Sequence, residues 1–228
     1  MLPNELLGVF RLEADDLVEP YLWSDEEFYR YLNDAQDVFV REIGGIADRR
    51  SPLTKITYKA NEQFKTFDER IMRIKGAFDE DNNVLTVRNL DNFEGPSLVD
   101  DYGMRIINGG LDDGRVGPLR YLITDVASRD IQLYPLPDHT GYIRLFVYRR
   151  PLEGISLDGK GELEINSQFH LDLLCWVKYK AFLKQDVEAF DGSKAADFRM
   201  AFQEAIKQAK KEKSGREDRK RLMAYGGI

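Results

Sequence analysis

The sequence predicts an α+β fold: a helical bundle domain built from both ends of the chain, an inserted antiparallel β-sheet or sandwich domain, and an extended C-terminal arm. Three observations predict it. Apolar residues recur at three- and four-residue spacing near both ends, they alternate with polar ones in between, and the apolar stripe vanishes after Lys213. The chain divides accordingly into N-terminal helices over 1–50, a β domain over 53–150, C-terminal helices over 163–213 and an arm over 214–228.

The first helix carries Leu6, Leu7 and Phe10, with Asn4 as its expected cap, and Pro20 stops regular structure beyond it. Ser24-Asp25-Glu26-Glu27 has the spacing of a capping box, in which hydroxyl and carboxylate each take a free backbone N–H at the helix start. Behind it Phe28, Leu32, Ala35, Phe39 and Ile43 form one apolar face, Trp23 stands ready to staple onto that face, and Gly44-Gly45 ends the helix. From Ile56 the period becomes two. Ile71–Phe78 and Val84–Val87 flank the polar run Asp79–Asn83 as a hairpin, and Arg120–Thr124, Asp130–Tyr134 and Tyr142–Tyr148 read as further strands. Asn108–Gly114 reads as a mobile loop. Helix resumes near Ser167, with Leu171, Leu174, Tyr179 and Phe182 near one face. Asp191-Gly192-Ser193 then caps a last helix bearing Ala195, Phe198, Phe202, Ala205 and Ile206.

With 43% hydrophobic and 32% charged residues in 228, the chain has the balance of a globular protein. No apolar run approaches the ~20 residues of a membrane helix, so no membrane partner is expected, and the N-terminus lacks the pattern of a signal peptide. A single cysteine, Cys175, excludes an internal disulfide framework. Net charge is −7, but Lys207–Arg221 holds eight basic residues against three acids, +5, which leaves −12 on the rest. An acidic body repels phosphate, whereas a basic arm seeks an acidic or polar partner.

No residue pattern carries chemistry. His139 sits in a turn and His170 opens a helix, and neither has a metal-ligand neighbour at the right spacing. Cys175 reads as a buried, inert thiol. Asp79–Asn83 lacks the glycine and glutamate of a calcium loop, and glycines 109, 110, 114 and 117 are not followed by Gly-Lys-Ser/Thr. No catalytic residue, metal or cofactor is expected.

The end of the chain is more informative. Leu222, Met223, Tyr225 and Ile228 are apolar with no visible place in their own domain. Burying each in a partner contributes about 1.5–3 kcal/mol, against about 1–2 kcal/mol to order each backbone position. One arm binds weakly; many arms on one ring bind tightly.

Three stretches then resemble the head-to-tail adaptor (connector) family of short-tailed phages, typified by tail tubular protein A. They are RLEADDLVEPYLWSDEEFYRYLNDAQ, YLITDVASRDIQLYPLPDHTGYIRLFVYRRPLEGI and ELEINSQFHLDLLCWVKYKAFLKQDVEAFDGSKAADFRMAF, together spanning roughly Arg11 to Phe202. Asn166 stands where related chains often carry Pro, and segment 94–118 matches nothing in the family. The resemblance implies a non-enzymatic virion protein at the head–tail junction, assembled in the host cytoplasm. It implies a homo-oligomeric ring, usually of twelve, between portal protein and tail nozzle protein, around a channel for double-stranded DNA. It also implies portal docking by the arm, carried here onto Arg216, Arg219, Lys220, Arg221, Leu222, Met223, Ala224, Tyr225, Gly226, Gly227 and Ile228. The alternatives are a nucleic-acid-binding module that uses the basic segment and, ranked last, a hydrolase on the β scaffold.

Overall fold

The computed structural model describes residues 1–90, 98–99, 105–106, 114–186 and 189–222, without the side chains of 98, 99, 105, 106 and 216–222. Among these residues four α-helices and twelve β-strands fall into two compact units: one holds 1–46 and 150–228, the other 47–149. The class is α+β.

In the helical unit, α1 (Pro3–Glu13) begins at proline, whose fixed φ suits a first helical position. Asn4 is therefore not its cap. Glu5 accepts from the Leu2 amide, and Asn4 lies in the first turn, where it accepts from the Tyr29 hydroxyl at 2.5 Å. The capping box of α2 (Asp25–Glu42) forms in both directions, with Glu27 N to Ser24 Oγ at 3.2 Å and Ser24 N to Glu27 Oε2 at 3.0 Å. Phe28, Leu32, Ala35 and Phe39 are buried as the spacing requires. Gly44 and Gly45 end the helix at φ +78° and +90°, a conformation that L side chains avoid.

The α1–α2 loop is built around one buried carboxylate. Asp16 accepts from the Arg11 guanidinium at 2.8 Å and from the amides of Leu22 and Trp23 at 2.9 and 3.4 Å. Arg11 also donates to the Trp23 carbonyl and Asp25, and lies 3.5 Å from the centre of the Tyr21 ring. Trp23 packs edge-on against Phe10 and Phe182, both at 5.6 Å, and its Nε1 donates to the Ala181 carbonyl at 3.0 Å.

Helix α3 (His170–Phe182) follows a single 3₁₀ turn capped by Asn166. Its apolar face is Leu173, Leu174, Val177 and Ala181; Leu171, expected on that face, is exposed. The periodicity is ambiguous here because apolar residues surround most of the helix, and neighbouring helices select the stripe. Segment 151–165 is irregular yet pinned: Asn33 exchanges two hydrogen bonds with Ile155 at 2.6 and 2.7 Å, and Gln36 accepts from the Glu164 amide at 2.8 Å. Asp191 caps α4 (Gly192–Leu222) by accepting from Ser193 and Lys194 amides, as the sequence predicts.

The second unit contains one mixed sheet. Its strands are β1 (Ile46–Asp48), β2 (Lys55–Tyr58), β3 (Phe64–Thr66), β4 (Ile71–Phe78), β5 (Val84–Asn89), β9 (Tyr121–Ala127), β10 (Asp130–Tyr134) and β12 (Gly141–Arg149). The order is β1-β12-β4-β5-β9-β10-β3, with β2 also paired to β12. The minor pairs are β6 (Leu98–Val99) with β7 (Arg105–Ile106), and β8 (Val116–Gly117) with β11 (Leu136–Pro137).

Two features correct the expectation of an antiparallel sheet or sandwich. First, β5 and β9 run parallel. Parallel neighbours need a long crossover, and the Gly-rich segment unmatched in the sequence supplies it. Leu90, the first residue after β5, packs with Ile123 and Tyr134 on the sheet's second face, while Asn108–Asp113 lie outside the described residues. Second, the sheet curls on itself. From β2 to β3 the path crosses six strand spacings, about 29 Å if flat at ~4.8 Å each. Yet residues 59–63 join those same strands and reach at most ~22 Å. The hydrogen bonds therefore cannot all form on a flat sheet. Curling encloses Tyr58, Ala77, Leu85, Leu122, Ile131, Leu133, Ile143, Leu145 and Val147.

The two ends of this unit are tied by a buried ion pair, Arg149 to Asp48. Burial alone would raise the Asp48 pKa. Hydrogen bonds from Ser51, Arg149 and the amides of Arg50 and Ser51 outweigh it and hold the carboxyl well below the usual carboxylate range. Asp48 ionisation therefore stabilises the fold above the ordinary carboxylate pKa, and this stabilisation fades as pH falls toward the folded value. Asp48→Ala leaves a buried guanidinium without its counter-ion, and urea unfolding at pH 7 should show a loss of about 3–5 kcal/mol. The deficit relative to wild type should shrink in acid.

Candidate docking surface

Helix α4 is anchored first by apolar contact and then by charge. Ala195, Phe202, Ile206 and Ala209 are buried along one side. The Phe202 ring lies 5.0 Å from Trp176 and 6.1 Å from Phe39, and Phe198 stacks on Phe182 at 5.8 Å. One turn later polar contacts take over: Lys210 to Glu42 at 2.9 Å and Gln168 to Glu212 at 2.7 Å. The Lys213 ammonium donates to the carbonyls of Ile43, Gly44 and Gly45 at 2.8, 3.3 and 3.1 Å. Those oxygens end α2 without helical partners, at the negative end of its dipole, so a cation there satisfies both hydrogen bonding and charge.

Ser214 and Gly215 are exposed, and a Cβ built on Gly215 meets nothing within 4 Å. The backbone nevertheless stays helical through Leu222. This corrects the expectation that the stem of the arm is extended. Lys, Arg and Glu favour helix, and Glu212/Arg216 and Glu217/Arg221 have the spacing of supporting pairs. Nine helical residues from Ser214 amount to a length of roughly 13 Å. Arg216, Arg219, Lys220, Arg221 and Leu222 thus lie on one continuous helix, but the structure does not describe their side chains. Met223, Ala224, Tyr225, Gly226, Gly227 and Ile228 lie outside the described residues.

A family profile described as SU10 adaptor protein matches residues 4–225. The chain belongs to that family. It is therefore a phage structural adaptor, a component of the virion. The match covers both units and reaches into the segment beyond Lys213. No curated protein matches the chain.

Elsewhere in this adaptor the residues singled out from the sequence have structural surroundings. His170 is buried, with Nε2 3.1 Å from the Ile165 carbonyl. Cys175 is half-buried, and burial raises its pKa, so the thiol stays protonated. Asp79 accepts from the Asn83 amide in the β4–β5 turn, with Asn82 at φ +65°. Among the described residues no cluster suits a metal ion, and no helix is long and apolar enough to cross a membrane. His139 is more connected than its sequence neighbours suggest. Its ring nitrogens meet Asp138 Oδ1 at 2.6 Å and Glu80 Oε1 at 3.1 Å, which join two turns whose separation in sequence hides the contact.

Two outcomes are expected. Lys213→Met should cost about 1 kcal/mol and speed amide exchange selectively at the α2 C-terminus, followed by hydrogen-exchange mass spectrometry. The Asp138 hydrogen bond, then that of Glu80, raises the His139 pKa. Its NMR titration should fall above the ordinary ~6.5, with Glu80→Gln moving it down. The charged imidazole's contribution to stability is complete below the unfolded value and disappears as pH rises through the folded one.

Proposed function

We propose that this chain joins the portal to the tail nozzle at the head–tail junction. It does so as one copy in a closed ring of about twelve around the DNA channel. It carries no catalytic chemistry, is assembled into virions in the host cytoplasm, and docks into the portal through residues 214–228. The observation that carries this reading is that α4 stays helical past Lys213, the residue that roots it in the helical unit, as far as Leu222, with Ser214 and Gly215 exposed.

Family membership supplies the adaptor role, and the charge distribution supports the rest. With −12 on the body, passing DNA finds few cations to displace its counterions, so it slides without adhering. The +5 segment has no such restriction and suits an acidic cleft. A stem already helical lowers the ordering cost of docking, so the apolar tip retains more of its burial energy. Repetition around a ring multiplies the effect.

A chain truncated after Lys213 should keep its unfolding midpoint, and lose only the helical circular dichroism of the nine helical residues removed, while losing at least a hundredfold in affinity for purified portal. Unchanged affinity would sink the docking reading. The nucleic-acid alternative rests on the same eight basic residues. It predicts duplex binding that falls steeply with salt, and a flat titration without retained DNA dismisses it.

A further inference from the structure

The α1–α2 loop presents apolar side chains to solvent from a rigid base. Leu17 is 57% exposed and Val18 79%, with Glu19 exposed beside them. Such exposure is commonplace in a floppy loop, but here Asp16, Arg11 and Trp23 hold both flanks through hydrogen bonds to backbone and side chain. Lys184 adds another, donating to the Leu22 carbonyl at 3.0 Å. A preorganised apolar knob costs little entropy to bury, which is what an interface anchor needs.

The same unit has a matching hollow. Tyr179 of α3 and Leu183 just past its end, with Ala195, Ala196, Arg199 and Met200 of α4, line an open groove of about 420 Å³. Met200 is 60% exposed, and Phe190, at 58%, stands within 3.5 Å of a Cβ built on Gly192 at the groove's end. Arg199 is exposed and, among the described residues, has no ion-pair partner; its guanidinium lies 5.8 Å from the Tyr179 ring centre.

Within one copy the loop and the groove use different sides of α3. The loop grips α3 on the side of Lys178 and Ala181, through Glu13 to Lys178 and Trp23 to Ala181. Tyr179 and Leu183 each stand two residues from Ala181, about 200° round the helix from it, and Tyr179 is about 100° from Lys178. A contact between unlike surfaces of identical molecules runs head to tail, and repetition closes a ring if the rotation allows.

We propose that Leu17 and Val18 of one copy insert into the α3–α4 groove of the next, with Glu19 paired to the neighbour's Arg199. Apolar knob meets apolar hollow, and the carboxylate at its edge meets the free cation at the groove's rim. This deepens the ring reading and rests on it, since it names the contact through which copies associate.

The test uses the full-length chain, alone and on portal rings. In a Cys175→Ser background, which removes the native thiol, oxidising the double variant Val18→Cys with Met200→Cys should give a ladder of covalent oligomers beyond the dimer, while either introduced cysteine alone gives a dimer at most. Glu19→Arg and Arg199→Glu should each weaken association about tenfold, and the two changes combined in one chain should restore it. All four positions are exposed, so circular dichroism should stay unchanged. Rings visible by electron microscopy without a ladder or charge rescue overturn this contact and leave the ring reading standing. Wild-type chain that remains monomeric even on portal overturns both.

Discussion

A guanidinium and a carboxylate buried against each other, Arg149 and Asp48, hold together the two points where the chain enters and leaves its β unit. The constraint is one of connectivity. An inserted unit has only two covalent ties to its host, and unless its ends are held side by side the first and last strands cannot share a sheet. Strand β1 and the end of β12 are paired, and the ion pair sits where that pairing meets the boundary. Removing the pair from water is costly, and the hydrogen bonds from Ser51 and the Arg50 amide offset much of that cost.

The helical unit solves a related problem with different chemistry. Its four helices come from segments separated by the whole β unit, so its core is assembled from distant sequence. Phe39 of α2, Trp176 of α3 and Phe202 of α4 meet there as an aromatic cluster, and Trp23 ties α1 to the end of α3. Polar groups then set directions that apolar packing leaves open. Asp16 fixes the path of the α1–α2 loop, and Lys213 ties α4 to the end of α2. Both do so by satisfying backbone groups that no helix partner serves.

How much of this can be read from the sequence depends on how local each feature is. The capping box, the double glycine after α2, the Asp79–Asn83 hairpin and the Asp191 cap depend on neighbours within five residues, and each is plain in the sequence. Curling and the parallel β5–β9 pair depend on contacts across the chain, and period-two alternation is blind to strand direction. Periodicity misplaces the buried face of α3 at Leu171 because only the neighbouring helices decide which apolar residues turn inward. In the C-terminal segment proposed to dock, charge and leftover apolar residues are legible. The helical state of the stem is not, since loss of an apolar stripe signals loss of packing rather than loss of helix. The Arg11–Asp16 node is also hidden, because five residues and a turn separate two ordinary surface types.

The discontinuity of the helical unit also has a consequence for biosynthesis. As the chain leaves the ribosome, α1 and α2 emerge first with Leu32, Ala35 and Phe39 uncovered, and their partners in α3 and α4 lie more than 120 residues downstream. The β unit is complete by Arg149, so it has all its own core before those partners appear. Translation order therefore favours a nascent intermediate with a finished β unit and a sticky, half-made helical one. Such a species is a client for chaperones, and pauses in translation between Arg150 and Ser167 would prolong its exposure.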